Sequence, residues 1–480
     1  MTRDFVEKLF KDYNIQNICT DSRAIIPNTA FFLIANSKES KNYINKALDQ
    51  DVSLIFTDFE LDYKLEKVIY VKDLEEILYI AASIIYNIEP KYKVAITGTN
   101  GKSSIASYFA QICEFLGQNS ASIGTLGVTS SIANLDLLQN LTTEDFITNK
   151  KNLNILAKNN INYVCMEASS HGLAQKRFGD IKFNSAGFIS FSQDHLDYHK
   201  SMEDYLESKL ILFKNHLAEN GKIVINKQIN NFYKITKYLE EECSKNIISV
   251  GYADDNHDID CEILEIESTI NISIINFKYK NKLYRVESKI VGSFQFVNIL
   301  IAAIMAENVG FYFEDIVNII PQLKAPKGRL EKIEDTNIFI DYAHSPESLE
   351  FSIKELLKLK SNKKSKLITL FGCGGDRDKS KRSLMGTISA NLSDITIITD
   401  DNPRNENPIS IRSDILTKIK NQNNVIEISG RELAIKNSID LMGEYDILLI
   451  AGKGHEKFQI IGDQKFEFDE FKIIKNYLQK

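Results

Sequence analysis

Through its last third the chain repeats one pattern, a short apolar run followed by a polar cluster and then a segment of helical length. The runs Ile338–Tyr342, Leu367–Phe371, Ile395–Thr399, Val425–Ile428 and Ile447–Ala451 alternate in this way. That alternation predicts βαβ units and a mainly parallel sheet. The central part carries similar buried strands at Val94–Thr97, Tyr163–Met166, Gly187–Ser190 and Ile223–Ile225. Nearer the start, the polar turn Cys19-Thr20-Asp21-Ser22-Arg23 precedes the run Ala30–Ile34. The apolar stretch Ile77–Ile88 is broken by Ser83 and Asn87 and is well short of the ~20 residues a membrane helix needs, so it predicts a core helix. Prolines cluster at Pro90, Pro321 and Pro326, placing boundaries near residues 89 and 325 and giving three domains, 1–88, 89–325 and 326–480.

Composition narrows the ligands. Hydrophobic residues make up 43% and charged residues 26% of the 480 positions, ordinary for a globular protein. The net charge of −7 argues against nucleic acid, which needs a basic face to displace counterions. An anionic ligand must therefore be met by local positive charge. No apolar segment of signal-peptide type follows Met1-Thr2-Arg3-Asp4, and the six cysteines show no C-x-x-C spacing. Both features predict a cytoplasmic chain with free thiols and no membrane partner.

The strongest chemical signal is Val94-Ala95-Ile96-Thr97-Gly98-Thr99-Asn100-Gly101-Lys102-Ser103-Ser104. An apolar strand enters a glycine-rich turn and leaves it as a helix of polar start. Backbone N–H groups at Gly98 and Gly101 can turn onto phosphate oxygens, Lys102 can reach the β/γ end, and the Ser103 hydroxyl can hold Mg²⁺. Ile96 stands where the common phosphate loop has its first glycine, leaving the shorter G-x-x-G-K-S form. After Tyr163–Met166 comes Glu167-Ala168-Ser169-Ser170-His171-Gly172-Leu173, and after Gly187–Ser190 comes Asp194-His195-Leu196-Asp197-Tyr198-His199. Glu167 and His195 are suitable donors to a Mg²⁺ ion that keeps several waters. His195 and His199 have the i, i+4 spacing of a zinc pair, but no H-E-x-x-H glutamate or third ligand accompanies them, which favours magnesium.

Further on, Phe371-Gly372-Cys373-Gly374-Gly375-Asp376-Arg377 departs from a dinucleotide fingerprint because Arg377 takes the third glycine's place. Asp376 and Arg377 are expected to be buried charges that suit a polar substrate. With Asp401-Asn402-Pro403-Arg404 and Gly452-Lys453-Gly454-His455-Glu456, three neighbouring strands end in Arg377, Arg404 and Glu456. A guanidinium matches a carboxylate bidentately and a glutamate takes an ammonium, so the set fits an amino acid. The alternative is a solvent-facing salt-bridge cluster at the sheet rim.

From end to end these segments resemble the Mur ligases. The family's T-G-T-N-G-K-[ST] loop is at Thr97–Ser103, M-E-x-S-S-H-G-L at Met166–Leu173 and D-H-L-D-Y-H at Asp194–His199. D-Y-A-H-[ST]-P stands at Asp341–Pro346, G-C-G-G-D-R-D at Gly372–Asp378, D-N-P-R at Asp401–Arg404 and A-G-K-G-H-E at Ala451–Glu456. The resemblance implies an α/β fold of three domains: an N-terminal UDP-binding domain, a central P-loop-type ATPase domain with a mainly parallel sheet, and a C-terminal Rossmann-like domain. It implies an ATP-dependent amide ligase, closest to the member that adds meso-2,6-diaminopimelate to UDP-N-acetylmuramoyl-L-alanyl-D-glutamate in peptidoglycan precursor synthesis. Its substrates would be these two small molecules and ATP, its metal Mg²⁺, and its state a monomer.

By the same resemblance, Gly98, Thr99, Asn100, Gly101, Lys102, Ser103 and Ser104 meet the ATP phosphates, with Asn298 at the adenine and Arg329 and Asp341 also on the nucleotide. Ser22, Thr142, Thr143, Ser169, Gln175 and Arg177 bind the UDP-muramoyl substrate. Arg377, Asp401, Asn402, Pro403, Arg404, Gly452 and Glu456 bind diaminopimelate. Lys209 matches a lysine carried as a carbamate, which would join Ser103, Glu167 and His195 around metal; Lys102, Glu167, His195 and Lys209 are then the catalytic set. Without that modification, Lys209 is a lysine on a helix surface. Two segments depart from the family. Thr142-Thr143-Glu144-Asp145 lacks the proline of T-T-P-[DE], and Asn36–Asn42 replaces the glycine-rich stretch that follows the D-S-R turn in the family.

The chemistry implied is transfer of the γ-phosphoryl to a substrate carboxylate, followed by amine displacement of phosphate from the acyl phosphate, with domain closure excluding water. Diaminopimelate differs from lysine by a distal carboxylate, and a buried Arg404 would lack its anion if lysine were bound. A folylpolyglutamate-type ligase and a nucleotide-binding regulator are the alternatives, separable by substrate tests.

Overall fold

The computed structural model describes the chain except residues 1, 35–39, 60–64, 134, 136, 140, 196–197, 244–245, 254–258, 362–363 and 480. Residues 36–39 of the divergent loop and Leu196 and Asp197 of the histidine segment thus lie outside the described residues. Two compact units emerge: Met1–Lys102 with Cys113–Val224 and Ile229–Ile247, and Ser103–Ile112 with Ile225–Gln228 and Ile248–Lys480.

The first unit begins with a parallel four-stranded sheet, β1 (Asn17–Cys19), β2 (Thr29–Leu33), β3 (Leu54–Thr57) and β4 (Val68–Tyr70), in sequence order. β2 and β3 are buried along their whole length, which explains their near-continuous apolar sequence. The expected core helix spans Leu74–Ile85 rather than starting at Ile77, because Asp73 caps it by accepting the Glu76 N–H at 2.9 Å.

Beyond it come β5 (Tyr92–Thr97), β6 (Ser120–Gly124), β7 (Gly127–Ser130), β8 (Tyr163–Glu167), β9 (Phe183–Phe188) and β10 (Leu217–Asn226), ordered β10-β9-β5-β8-β6-β7. β9, β5, β8 and β6 are parallel and β7 returns antiparallel to β6. β5 is flanked by β8 and β9, so its loop occupies the middle of the sheet's carboxyl edge, where ligands of open α/β sheets gather. Ile96 is a fully buried residue of β5, paired with Glu167 and Gly187. The short loop therefore begins only at Gly98, and Ile96 belongs to the strand.

The strand expected at Gly187–Ser190 instead runs Phe183–Phe188. Its polar residues hid it. The Asn184 side chain accepts the Lys93 N–H at 2.9 Å and the Ser185 hydroxyl donates to the Lys222 carbonyl at 3.1 Å, so both are satisfied within a sheet.

The second unit contains a set that the sequence pattern did not reveal: β11 (Ile247–Gly251), β12 (Cys261–Ser268), β13 (Ser273–Tyr279) and β14 (Lys282–Ser288), with β12, β13 and β14 antiparallel. Ser273, Ile275, Phe277 and Tyr279 are buried while the residues between them are not, a period of two that was there to be found.

The C-terminal sheet is β15 (Glu331–Lys332), β16 (Ile338–Asp341), β17 (Leu367–Phe371), β18 (Ile395–Ile398), β19 (Val425–Glu427) and β20 (Ile447–Ala451), ordered β15-β16-β20-β17-β18-β19. All pairings are parallel except β15 with β16. Alternate strand residues feed two cores. Leu367, Phe371, Leu449 and Ala451 pack with Leu349, Met385 and Ile411, while Ile368, Leu370, Leu448 and Ile450 pack with Ile435 and Ile474. Helices therefore cover both faces, and the strand order reverses at β20, which opens a crevice at the carboxyl ends of β16, β20 and β17. A hairpin of β21 (Phe458–Ile461) and β22 (Gln464–Glu467) follows.

Candidate active site

At the end of β5 the phosphate loop is clamped from below. A Cβ on Gly98 would come within 2.5 Å of Ile189 Cγ1, so only glycine permits the approach. The Thr99 N–H donates to the Ser190 carbonyl at 3.0 Å, and the Ser190 hydroxyl accepts the Asn100 N–H at 2.7 Å while donating to the Asn100 carbonyl at 2.8 Å. Tyr205 OH lies 3.2 Å from Thr99 Oγ1. Ser190 and Tyr205 were not among the expected site residues, since nothing in their sequence context marks a brace of this kind. Lys102 folds over the loop and donates to the Gly98 and Thr99 carbonyls at 2.8 and 3.0 Å. Gly101, at φ 89°, lets the chain turn into the helix Lys102–Phe115.

Glu167, at the end of β8, is buried, and its carboxylate accepts the Thr125 N–H at 2.9 Å and the Thr125 hydroxyl at 3.0 Å. Both donors are neutral. A Cβ on Gly124 would fall 2.1 Å from Glu167 Oε1, so that glycine makes room for the carboxylate. Thr143 links this strand end to the next helix: its hydroxyl donates to the Glu167 carbonyl at 2.8 Å and accepts from the Ser169 N–H and hydroxyl, each at 3.0 Å. Arg177 donates to the Thr143 carbonyl at 2.6 Å and to Gln175 Oε1 at 2.7 Å, and Thr142 Oγ1 is 3.0 Å from Thr125 Oγ1. Thr142, Thr143, Ser169, Gln175 and Arg177 thus form one bonded network. Ser22 is a separate, buried member of the Asp21-capped turn before β2. Where the family has proline, Glu144 accepts the Leu141 N–H at 2.8 Å, so a side-chain bond rather than a ring ties this turn.

Four aromatic side chains gather beyond β9. The His171 ring lies 4.8 Å from His195, 4.1 Å from Tyr198 and 5.5 Å from His199. His199 is buried, with Nε2 3.0 Å from Ser170 Oγ, whereas His195 is half exposed beside Asp194. The two rings of the i, i+4 pair serve different surroundings. Among the described residues, no group of three or more His, Cys, Asp or Glu side chains could hold a metal. Lys209 is enclosed rather than set on a helix surface: it is 1% exposed and its Nζ lies 4.3 Å over the Tyr205 ring. Burial, reinforced by Lys102, pushes its amine well below the usual lysine range.

In the second unit, Asn298 is buried in the helix Ser293–Asn308. Arg329 donates to Ser103 Oγ at 3.3 Å and stacks 4.7 Å over the Tyr342 ring. Asp341 at the end of β16 accepts the Leu330 N–H at 2.6 Å, the Ala343 N–H at 2.9 Å and the Ser352 hydroxyl at 3.1 Å. Its burial raises the carboxyl above the usual range despite Arg329. His455 also packs on Tyr342, with ring centroids 5.0 Å apart, and burial with Arg329 pushes its imidazole down to about 4.

The neighbouring strands β20, β17 and β18 do end in the three expected loops. The Gly375 N–H donates to the Asn402 carbonyl at 2.9 Å, Arg404 Nη1 donates to the Gly375 carbonyl at 2.8 Å, and a Cβ on Gly375 would lie 1.9 Å from the Pro403 carbonyl oxygen. Gly452 leaves room for Asp401, whose Oδ2 a Cβ would meet at 2.8 Å. Asn402 Nδ2 donates to Glu456 Oε2 at 2.9 Å. Two expectations need correction. Asp376 and Arg377 are exposed rather than buried, and Arg404 is partly exposed, because their loops form the rim of the crevice and not its floor. Arg404, Asp376, Leu330 and His195 all have φ between 50° and 53°, left-handed backbone that non-glycine residues adopt at a cost and that clusters at functional sites.

Beneath the rim lie residues the sequence did not single out. Fully buried Arg382 donates to both Glu406 oxygens and to the Gly374 carbonyl, and Glu406 in turn accepts the Asp376 N–H at 2.6 Å. Arg382 holds the Glu406 carboxyl down to about 2. Arg431 and Glu470, also buried, pair at 2.6 Å, and Arg431 donates to the Ala451 carbonyl at the end of β20. An isolated Arg or Glu in sequence gives no sign of such a partner tens of positions away.

A phosphate loop of the short form, with a doubly wound domain carrying a guanidinium and carboxylate rim, defines the class of ATP-using ligases. A family model described as the Mur ligase middle domain matches residues 96–306, and one described as the Mur ligase glutamate ligase domain matches residues 328–454. The chain belongs to the Mur ligase family. It is 45% identical over 470 residues to the UDP-N-acetylmuramoyl-L-alanyl-D-glutamate--2,6-diaminopimelate ligase of Rickettsia bellii, covering 98% of this chain and 97% of the relative. With the ligase of that name from Rickettsia conorii it is 43% identical over 473 residues, again at 98% and 97%. A solved structure of a ligase of the same name superimposes with a TM-score of 0.72 at 28% identity, covering 97% of this chain and 95% of that one. Among the described residues, no helix is long and apolar enough to cross a membrane.

Proposed function

We propose that this chain is an ATP-dependent amide ligase that adds meso-2,6-diaminopimelate to UDP-N-acetylmuramoyl-L-alanyl-D-glutamate through an acyl phosphate. The observation that carries the reading is the D-N-P-R loop. It bonds Arg404 to Gly375 and Asn402 to Glu456, and a guanidinium and a carboxylate on one rim support binding of an amino acid's carboxylate and ammonium. In this reading residues 1–88 take the UDP end with Ser22, and Thr142, Thr143, Ser169, Gln175 and Arg177 take the muramoyl-peptide part. Residues 326–480 take the amino acid.

For ATP, Gly98 to Ser104 meet the phosphates, Asn298 the adenine, and Arg329 and Asp341 the rest of the nucleotide. The buried Glu167 carboxylate, bonded only to neutral Thr125 donors, fits a cation, as do the Ser103 hydroxyl and His195. When bound, Mg²⁺ supplies charge neutralisation on the transferring phosphoryl group. Lys102 supports this by moving from the Gly98 and Thr99 carbonyls onto phosphate oxygens. The substrate carboxylate attacks the γ-phosphorus and ADP leaves; the amine then attacks the acyl carbon, the C–N bond forms, and phosphate leaves with the C–O electron pair. In this reading Arg329 and His455, both packed on Tyr342, border the nucleotide.

Lys209 is proposed to carry a carbamate. Its burial favours the neutral amine, the form whose lone pair attacks CO₂ with loss of a proton, and the product would be an anion beside the metal. Lys209→Met is expected to lower kcat about a hundredfold. A carbamate carbon resonance from labelled bicarbonate should appear in the natural protein and vanish in this variant; an active variant would remove the role.

Phosphate release measured with UDP-N-acetylmuramoyl-L-alanyl-D-glutamate, ATP and each candidate amino acid tests the whole reading. Release is expected with meso-diaminopimelate and not with L-lysine. No release with any amino acid would reject it.

A further inference from the structure

Lys453 is 0% exposed and lies directly behind the amino-acid rim. Its Nζ donates to Asn402 Oδ1 at 3.0 Å and to Glu456 Oε2 at 3.2 Å, and lies 6.0 Å from the Phe468 ring centroid. A desolvated ammonium needs an anion, and Glu456, one-third exposed, supplies it. Asn402 Oδ1 also accepts the Ile460 N–H at 3.0 Å, so both acceptor positions of its amide oxygen are taken. The Asn402 nitrogen must then face Glu456, as the 2.9 Å bond to Oε2 records. With Oε2 engaged by these two donors, Glu456 Oε1 and the second Asn402 N–H have no hydrogen-bond partner among the described residues.

We infer that Lys453 is a positioning residue that orders Asn402 and Glu456 into an adjacent acceptor and donor pair, complementary to the ammonium and carboxylate of one α-amino-acid centre. The ligand class is a zwitterionic amino acid. Lys453 does not touch it, and a simple lysine-to-solvent charge could not set the amide's orientation. This inference rests on the reading of the rim as the diaminopimelate site.

Kinetics of Lys453→Met, Glu456→Gln and the double variant test it. Lys453→Met is expected to raise KM for meso-diaminopimelate about thirtyfold, because Glu456 and Asn402 lose their buried partner, while KM for ATP and for the UDP substrate stays within about twofold. The double variant should be no worse than Glu456→Gln alone, because the two residues act as one unit. Additive losses, or a Lys453→Met variant with ordinary meso-diaminopimelate kinetics, would overturn the role of Lys453 while leaving the site in place. Unchanged meso-diaminopimelate kinetics in Glu456→Gln would instead remove the site itself, and the inference with it. Should Lys453→Met fail to fold, Lys453→Gln keeps N–H donors without the charge. It should show a smaller rise confined to the same KM; a uniform fall across all substrates would point to a structural lysine only.

Discussion

Replacing Lys102 with methionine is expected to lower kcat for phosphate release about a thousandfold. Phosphoryl transfer offers a protein little covalent chemistry, so rate comes from placing positive charge where the phosphoryl oxygens gain negative charge. Lys102 is held in readiness, spanning two loop carbonyls at 2.8 and 3.0 Å, and the loop itself is fixed by Ser190 and Tyr205. Methionine keeps most of the length of the side chain and removes the charge, so nucleotide binding should weaken far less than turnover. Ligand titration separates the two effects. A variant whose kcat stays within tenfold would exclude Lys102 from the transfer step.

Arg404→Ala is expected to lower kcat/KM for meso-diaminopimelate by about a hundredfold to a thousandfold. Hydrogen bonds to charged groups contribute about 1.5–3 kcal/mol each, and a bidentate guanidinium–carboxylate contact combines two. The guanidinium's partial exposure reduces the larger discrimination that a fully buried arginine would give. Stability should change little, since the backbone at φ 50° is anchored by the Arg404 N–H to the Ile460 carbonyl at 3.0 Å and by the Gly462 N–H to the Arg404 carbonyl at 2.8 Å, bonds that alanine keeps. Arg404→Lys should fall between the two, because a point charge replaces the fork. Near-normal kinetics of Arg404→Ala with meso-diaminopimelate would reject its assignment.

Local motifs carried much of the site. Gly98, Gly101, Lys102 and Ser103 follow a strand and open a helix, a context that a linear pattern can state in full. The rim loops were legible for a similar reason: each follows an apolar run that could only be a buried parallel strand. Burial at the rim was not legible. Asp376 and Arg377, expected to be buried, are exposed, and the glycines beside them serve contact between loops, as the 1.9 Å approach of a Gly375 Cβ to the Pro403 carbonyl shows.

The alternation of strands and helices through the C-terminal parallel strands β16 to β20, and the chemical identity of the loops at their ends, follow from the linear chain, because hydrophobic periodicity and glycine placement act within a few residues. The supports exist only in the folded molecule: Ser190 under the phosphate loop, Thr125 on Glu167, Arg382 on Glu406, Arg431 on Glu470 and Lys453 beneath Asn402 and Glu456. Folding likewise encloses Lys209 and leaves Arg404 partly in solvent. Each of these outcomes depends on which distant segments the sheets bring side by side, and on how much water that leaves around a charge.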